Sequence, residues 1–288
     1  MRILSFGTTG QLAIELARHR PGWAELTALG RDRADLTDPA ACAAAVTAHR
    51  PALVINAAAY TAVDQAETDA ATARTVNAES PGAMARAAAA IGAPILHVST
   101  DYVFDGSSTR PWREDDPTGP LGVYGRTKLE GEGAIAAAGG DFVILRTAWV
   151  FSAHGRNFVK TMLRLGAERD TLSIVADQRG GPTPAADIAG ALWTVADAFR
   201  AGRGRPGIFH YCGAPTVSWA DFAEAVFAAA QLPRKPAIIR IATADYPTPA
   251  TRPANSALDC ARILAAYGIA QPDWRAGLRA VMTELETT

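Results

Sequence analysis

The stretch MRILSFGTTGQLA at residues 1 to 13 decides how the rest of the chain is read. Arg2 to Phe6 is a short apolar run, Gly7-Thr8-Thr9-Gly10 follows, and Gln11 to His19 carries apolar residues at helical spacing. The order is strand, glycine turn, helix. Small residues at Gly7, Gly10 and Ala13 let the backbone approach a diphosphate and let the helix pack tightly on its strand. The N–H groups at the helix start then face the anion. Gly7, Gly10, Gln11 and Leu12 are the candidate phosphate contacts. A structural turn also needs small residues, so the turn gains weight only from what surrounds it.

Downstream the alternation repeats. Strands are expected near 26–29, 53–56, 94–98 and 142–146, with helices near 40–49 and 124–138 and an alanine-rich helix before residue 94. Alternating strands and helices imply a parallel sheet covered on both faces, and right-handed crossovers give the doubly wound order. The segment 101–122, rich in Pro, Gly and Ser, reads as a functional loop, and 246–253 as an irregular one. Beyond Trp149 the alternation weakens. The fold class expected is α/β, a Rossmann-like doubly wound parallel sheet with a smaller C-terminal substrate-binding lobe. Residues 1–148 form the dinucleotide-binding domain, parts of 171–212 return to it, and 149–288 are mainly the lobe.

Composition narrows the partners. The 28 Lys and Arg nearly balance 29 Asp and Glu, with no run of like charge, so nothing marks a nucleic-acid or anionic membrane surface. Apolar residues at 49% suffice for a sizeable core. Cys42, Cys212 and Cys260 are odd in number and far apart, which fits buried free thiols in a reducing compartment. With a strand starting at once and no apolar run of membrane length, the expectation is a soluble cytoplasmic protein without a signal peptide.

After the second strand, where an NAD site places an acidic residue for the ribose, the chain reads Gly30-Arg31-Asp32-Arg33. A guanidinium at Arg31 suits the 2′-phosphate of NADP, although a solvated surface arginine would look the same. NADPH is the expected cofactor, with NADH left open. Asp35 and Leu36 are placed to flank the adenine. Asn56, Ala57, Ala58 and Ala59 form a small-residue stretch after the third strand, where a ribose is expected to lie close to backbone.

Tyr124 and Lys128 stand four apart in YGRTK, so both project from one helix face. A free phenol, with a pKa of about 10, is a poor acid–base group near neutrality. A neighbouring ammonium and a nicotinamidium stabilise its phenolate. Alone, the pair is commonplace on helix surfaces. Ser99 and Thr100, about 25 residues upstream at the C-terminal edge of the sheet, add a hydroxyl that can hydrogen-bond a reacting carbonyl oxygen. Glycine turn, strand-end hydroxyl and Tyr-x-x-x-Lys in this order make the reading an enzyme.

These residues belong to longer blocks: GTTGQLA at 7–13, NAAAYTAVDQAE at 56–67, STDYVFDG at 99–106, VYGRTKLEGE at 123–132, RTAWVF at 146–151, NFVKTML at 157–163, DQRGGPT at 177–183 and YPTPATRPANS at 246–256. Over nearly its whole length the chain resembles the dTDP-4-dehydrorhamnose reductase family of extended short-chain dehydrogenases. The resemblance implies a catalytic set of Thr100, Tyr124 and Lys128, and hydride transfer from NAD(P)H to the C4 ketone of a dTDP-sugar. It places Trp149, Asn157 and Arg252 around the sugar nucleotide, with Val63 and Tyr102 lining the sugar pocket. Read without it, these are a core tryptophan, a helix cap and a surface arginine. Thr183 with Pro182 is expected either to shape the far wall or to be purely structural.

Ala13 departs from the family's usual glycine, and Ser5-Phe6 from its valine-threonine lead-in. Some members are metal-bridged dimers. Glu15 lies at a suitable place, but no full ligand set is matched, so no catalytic metal, Mg2+ included, is expected and a homodimer stays open. Two other readings remain: a nucleotide-sugar epimerase or dehydratase with retained NAD, and a reductase-like regulatory subunit that only binds.

Overall fold

The computed structural model describes residues 1–287. Its centre is a wholly parallel sheet of β1 (Arg2–Phe6), β2 (Glu25–Leu29), β3 (Leu53–Asn56), β4 (Ile95–Thr100), β5 (Phe142–Thr147) and β6 (Gly207–His210). Their order across the sheet is β2-β1-β3-β4-β5-β6. Chain direction across the sheet therefore reverses between β1 and β3, which opens a crevice at their C-terminal ends.

Both faces are apolar because successive side chains point opposite ways. Ile3, Leu53, Ile55, Leu96, Val143 and Leu145 enter one core with Leu12 and Leu16 of α1 (Gln11–Arg18). Leu4, Val54, Ile95 and Ile144 enter the other with Cys42 and Val46 of α2 (Pro39–His49) and Met84, Ala85 and Ala88 of α3 (Ser80–Ala90). These strands are continuous apolar runs, as burial on both faces requires. α2 starts cleanly because the Asp38 carboxylate caps the Ala41 N–H at 3.0 Å and Pro39 has no N–H to satisfy.

The strand expected to end at Val98 runs on to Thr100, which pairs with Thr147 of β5. Ser99 and Thr100 are thus held by the sheet itself. The 101–122 segment is anchored by a 3-10 turn at Asp101–Val103 and by Trp112, which bridges to Leu258 and stacks on Phe104 at 4.6 Å.

α4 (Val123–Ala136) carries the Tyr-x-x-x-Lys pair. Its glycines explain its placement. A Cβ at Gly125 would run into the Tyr102 carbonyl oxygen, and one at Gly131 into that of Asn77. Gly125 lets the helix sit directly on the strand-end turn, and Gly131 lets it close on the helical turn that leads into α3.

After β5 the chain builds a second core from α5 (Phe158–Glu168), α7 (Trp219–Ala229) and α8 (Trp274–Thr287), around Phe151, Val159, Phe222, Val226, Trp274 and Leu278. Strands Thr171–Val175 and Ala237–Ile241 pair in parallel beside it. Between these elements α6 (Ala185–Arg200) returns to α1, with Trp193 Nε1 donating to the Leu16 carbonyl at 3.2 Å, and β6 completes the sheet. No helix among the described residues is long and apolar enough to cross a membrane.

Candidate active site

The crevice between β1 and β3 opens into a cleft of about 930 Å³. Gly7, Gly10, Gln11 and Leu12 form one wall, Arg31, Asp35 and Leu36 a second, and Ala57, Ala58 and Ala59 a third. Val63, Thr100, Tyr102, Tyr124, Lys128 and Trp149 close the inner end. Sixteen of the eighteen candidate cofactor, catalytic and sugar-side residues thus meet in one space; Asn157 and Arg252 do not line it.

The turn fits a diphosphate. Gly7 has φ +107°, and a Cβ there would touch those of Ala58 at 3.4 Å and Ala13 at 3.5 Å, so the backbone lies flush against β3's exit. Gly10 is the N-cap of α1 without any side-chain cap, and a Cβ on it would meet open space. The uncapped helix start therefore fronts the cleft, as anion binding requires. At the mouth the Arg31 side chain is 87% exposed, with Asp35 3.9 Å away. Asp35 itself is held below the usual carboxylate range, chiefly by the Thr37 backbone N–H.

At the inner end, Thr100 Oγ1 accepts from the Tyr102 N–H at 3.1 Å and donates to Asp101 at 3.1 Å. Burial pushes the Asp101 carboxyl up to about 6. The Tyr102 and Tyr124 rings meet edge to face at 5.4 Å. Burial pushes the Tyr124 phenol up to about 12, while its hydrogen bond with Thr100 pulls the other way. Burial also brings Lys128 down to about 8, against the pull of Glu132. Its Nζ donates to the Val98 carbonyl at 2.7 Å and lies 3.0 Å from His97 Nε2. A neutral phenol beside a strand-end hydroxyl, with an amine one turn away, can deliver a proton to an oxygen placed between them.

Trp149 has φ +49° and stacks on Trp219 with ring centroids 3.5 Å apart, while a Cβ at Gly180 would strike its indole. Its placement is enforced from behind by residues the sequence did not mark. Asn157 caps α5 through Lys160 N and donates to Gln11 Oε1 at 2.9 Å. Arg252 grips Asp64 with two contacts of 2.6 and 2.8 Å. Thr183 is fully buried, bonding the Gly181 carbonyl and the Gly213 N–H. The cleft also includes Thr8, Thr9, Thr61 and Arg156, and behind it lie Asn56 and His97, polar residues within apolar strands.

Away from the cleft, Glu15, His154 and Glu284 bring three ligand atoms within 4.8 Å of one another. Arg18 already lies among them, 2.6 Å from Glu284 and 3.5 Å from Glu15, so a guanidinium supplies positive charge there.

A doubly wound sheet whose switch-point cleft joins a glycine turn to a strand-end threonine and a Tyr-x-x-x-Lys helix defines a nicotinamide-dependent oxidoreductase of the short-chain dehydrogenase class. The family model described as the RmlD substrate binding domain matches residues 1–287. A dTDP-4-dehydrorhamnose reductase of Sinorhizobium fredii is 44% identical over 290 residues, covering 99% of this chain and 98% of the relative. Among solved structures, a dTDP-4-dehydrorhamnose reductase of Clostridium acetobutylicum superposes with TM-score 0.93 at 35% identity, covering 99% of this chain and all of that one. The Bacillus anthracis enzyme of the same name, solved in complex with NADP, gives 0.91 at 32% identity over 98% and 99%. The chain belongs to the dTDP-4-dehydrorhamnose reductase family.

Proposed function

We propose that this chain reduces the C4 ketone of dTDP-4-dehydro-β-L-rhamnose to dTDP-L-rhamnose with NADPH, in the cytoplasm. The observation that carries this reading is the convergence of Thr100, Tyr124 and Lys128 on the cleft that the glycine turn opens. Bound there, the reduced nicotinamide supplies the hydride. The chain's own residues do the rest. Thr100 orients the carbonyl oxygen, and the Tyr124 O–H passes its proton to the oxygen as C4 gains hydride, leaving a phenolate that solvent reprotonates. Lys128 holds the nicotinamide ribose and faces the phenol's helix turn.

Residues 149–288 mainly supply the sugar-nucleotide side. Trp149, Val63 and Tyr102 shape the sugar pocket, and Asn157 fixes the α5 end of the wall. Arg252 is suited to the substrate diphosphate, since a carboxylate already occupies its planar fork in the two-pronged manner a phosphate would take. Arg31 favours NADPH over NADH.

The direct test is oxidation of NADPH, followed by absorbance, with the dTDP-4-dehydro sugar generated in the cuvette. A folded, NADPH-binding chain that leaves the sugar untouched would remove the assignment and favour a binding role or another sugar nucleotide. In the same assay Arg31→Ala should raise KM for NADPH roughly tenfold, about 1.4 kcal/mol, and leave KM for NADH nearly unchanged. Because Arg31 is exposed, the effect should shrink as salt is added. Equal changes for both cofactors would refute the role of Arg31.

A further inference from the structure

The chain between β5 and α5 folds back onto the glycine turn and is fixed there. Ser152 Oγ and Asn157 Nδ2 both donate to Gln11 Oε1, at 3.1 and 2.9 Å, and Gln11 is the first residue of α1. Asn157 Nδ2 also donates to the Ser152 and His154 carbonyls, and Lys160 Nζ to the Ala153 carbonyl at 3.0 Å, so the loop 152–157 closes on itself. Gly155 turns through φ +61°, and a Cβ there would come within 3.3 Å of Gln11 Cγ. The residue that follows is Arg156. It lines the cleft together with Thr8, Thr9 and Gly10.

The charges of the cleft leave a place for it. Three cationic side chains line that space: Arg31, Lys128 and Arg156. Arg31 stands at the mouth with Asp35 3.9 Å away, and Lys128 is buried at the inner end, donating to the Val98 carbonyl. Between these ends the glycine turn offers backbone N–H groups and hydroxyls. A helix start supplies only about half a positive charge, while a dinucleotide diphosphate brings two negative ones. Arg156 is exposed, and its guanidinium makes no hydrogen bond or ion pair with the described residues. The carboxylates nearby are already engaged. Asp101 accepts from Thr100, and Glu15 of α1 lies 3.5 Å from Arg18 and 3.4 Å from His154. A planar guanidinium can span two phosphate oxygens at once.

We propose that Arg156 is a cofactor-binding residue whose guanidinium contacts the diphosphate of the dinucleotide seated on the glycine turn. This rests on the nicotinamide-dinucleotide reading of the cleft. The half of the chain beyond β5 then holds the cofactor as well as the sugar nucleotide. Arg31 and Arg156 read different parts of the same molecule: the 2′-phosphate, which only NADPH has, and the diphosphate, which NADPH and NADH share.

That difference supplies the test. Dissociation constants for NADPH, NADH and ADP-ribose are measured by calorimetry on the native chain, Arg156→Gln, Arg156→Lys and Arg31→Ala. Arg156→Gln should weaken all three ligands by a common factor of about five at low salt, and less as salt is added. Arg156→Lys should recover part of the loss, since it keeps the charge and gives up the fork. Arg31→Ala should weaken NADPH alone. ADP-ribose lacks the nicotinamide, so an equal loss there puts the contact on the diphosphate. The position is exposed and without partners, so the variants should fold. Unchanged constants in Arg156→Gln overturn the proposal, as does a loss confined to NADPH, a loss that spares ADP-ribose, or a change seen only in KM for the sugar nucleotide. In each of those cases the native chain still binds the dinucleotide and the cofactor reading stands. A native chain that binds none of the three ligands removes the cofactor reading, and the role of Arg156 with it.

Discussion

Tyr124→Phe should fold, bind NADPH as the native chain does, and turn over at least a hundredfold more slowly. The substitution removes one oxygen from a ring that stays wedged against Tyr102 at 5.4 Å, so packing changes little. The reaction loses the phenol that Thr100 hydrogen-bonds, and general acid catalysis of this kind contributes about 10² to 10⁴ in rate. The loss should appear in kcat more than in KM, because the proton moves in the transition state and the ground state is bound by other groups. Burial keeps the native phenol protonated up to about pH 12 in the free site, so the native donor is loaded across the neutral range. Steady-state kinetics with matched NADPH titrations check this. A variant retaining a third of native kcat would move the proton-donor role away from Tyr124.

Glu132→Ala should cost the fold about 3 to 5 kcal/mol. The Glu132 and Arg146 side chains are each 3% exposed and joined by contacts of 2.6 to 3.2 Å. Removing the carboxylate strands a guanidinium between the Phe104 ring, 5.1 Å from it, and His210, which burial and Arg146 hold neutral down to about pH 3. Neither can neutralise it. At roughly 2 to 4 °C per kcal/mol for a chain of this size, the midpoint of thermal unfolding should fall by about 10 °C or more. A drop of about a degree would show that water or a shifted side chain satisfies Arg146.

The sequence was most legible where structure is local and both-sided burial leaves a plain signature. The runs LVIN at 53–56 and FVILRT at 142–147 lie in strands because nothing else in a parallel sheet tolerates such unbroken apolar residues. The glycine turn and Tyr-x-x-x-Lys could be read because their spacing is itself the geometry. In ILHVST the histidine and hydroxyls look like a strand's exit at Val98, whereas pairing with β5 carries the strand two residues further to Thr100. β6 had almost no signal, being four residues after a Gly- and Arg-rich loop. The cap of Asn157 on its own helix was readable, yet its bond to Gln11 crosses 146 positions, and the grip of Arg252 on Asp64 crosses 188. Such partners have no local mark. His97 carries no local mark for a related reason: a lone polar residue in an apolar strand announces a buried partner without naming it.

Gln11 is a joint between the two halves of the chain. It opens the helix that follows the glycine turn, and its one side-chain oxygen is shared by Ser152 at 3.1 Å and Asn157 at 2.9 Å, both beyond the last strand of the first half. The two halves of the chain are therefore not interchangeable modules. A chimera that grafts the sugar-side half of a relative onto this dinucleotide half inherits a seam at the very residue that fronts the cofactor, and recombination can succeed only when that seam is exchanged as a unit.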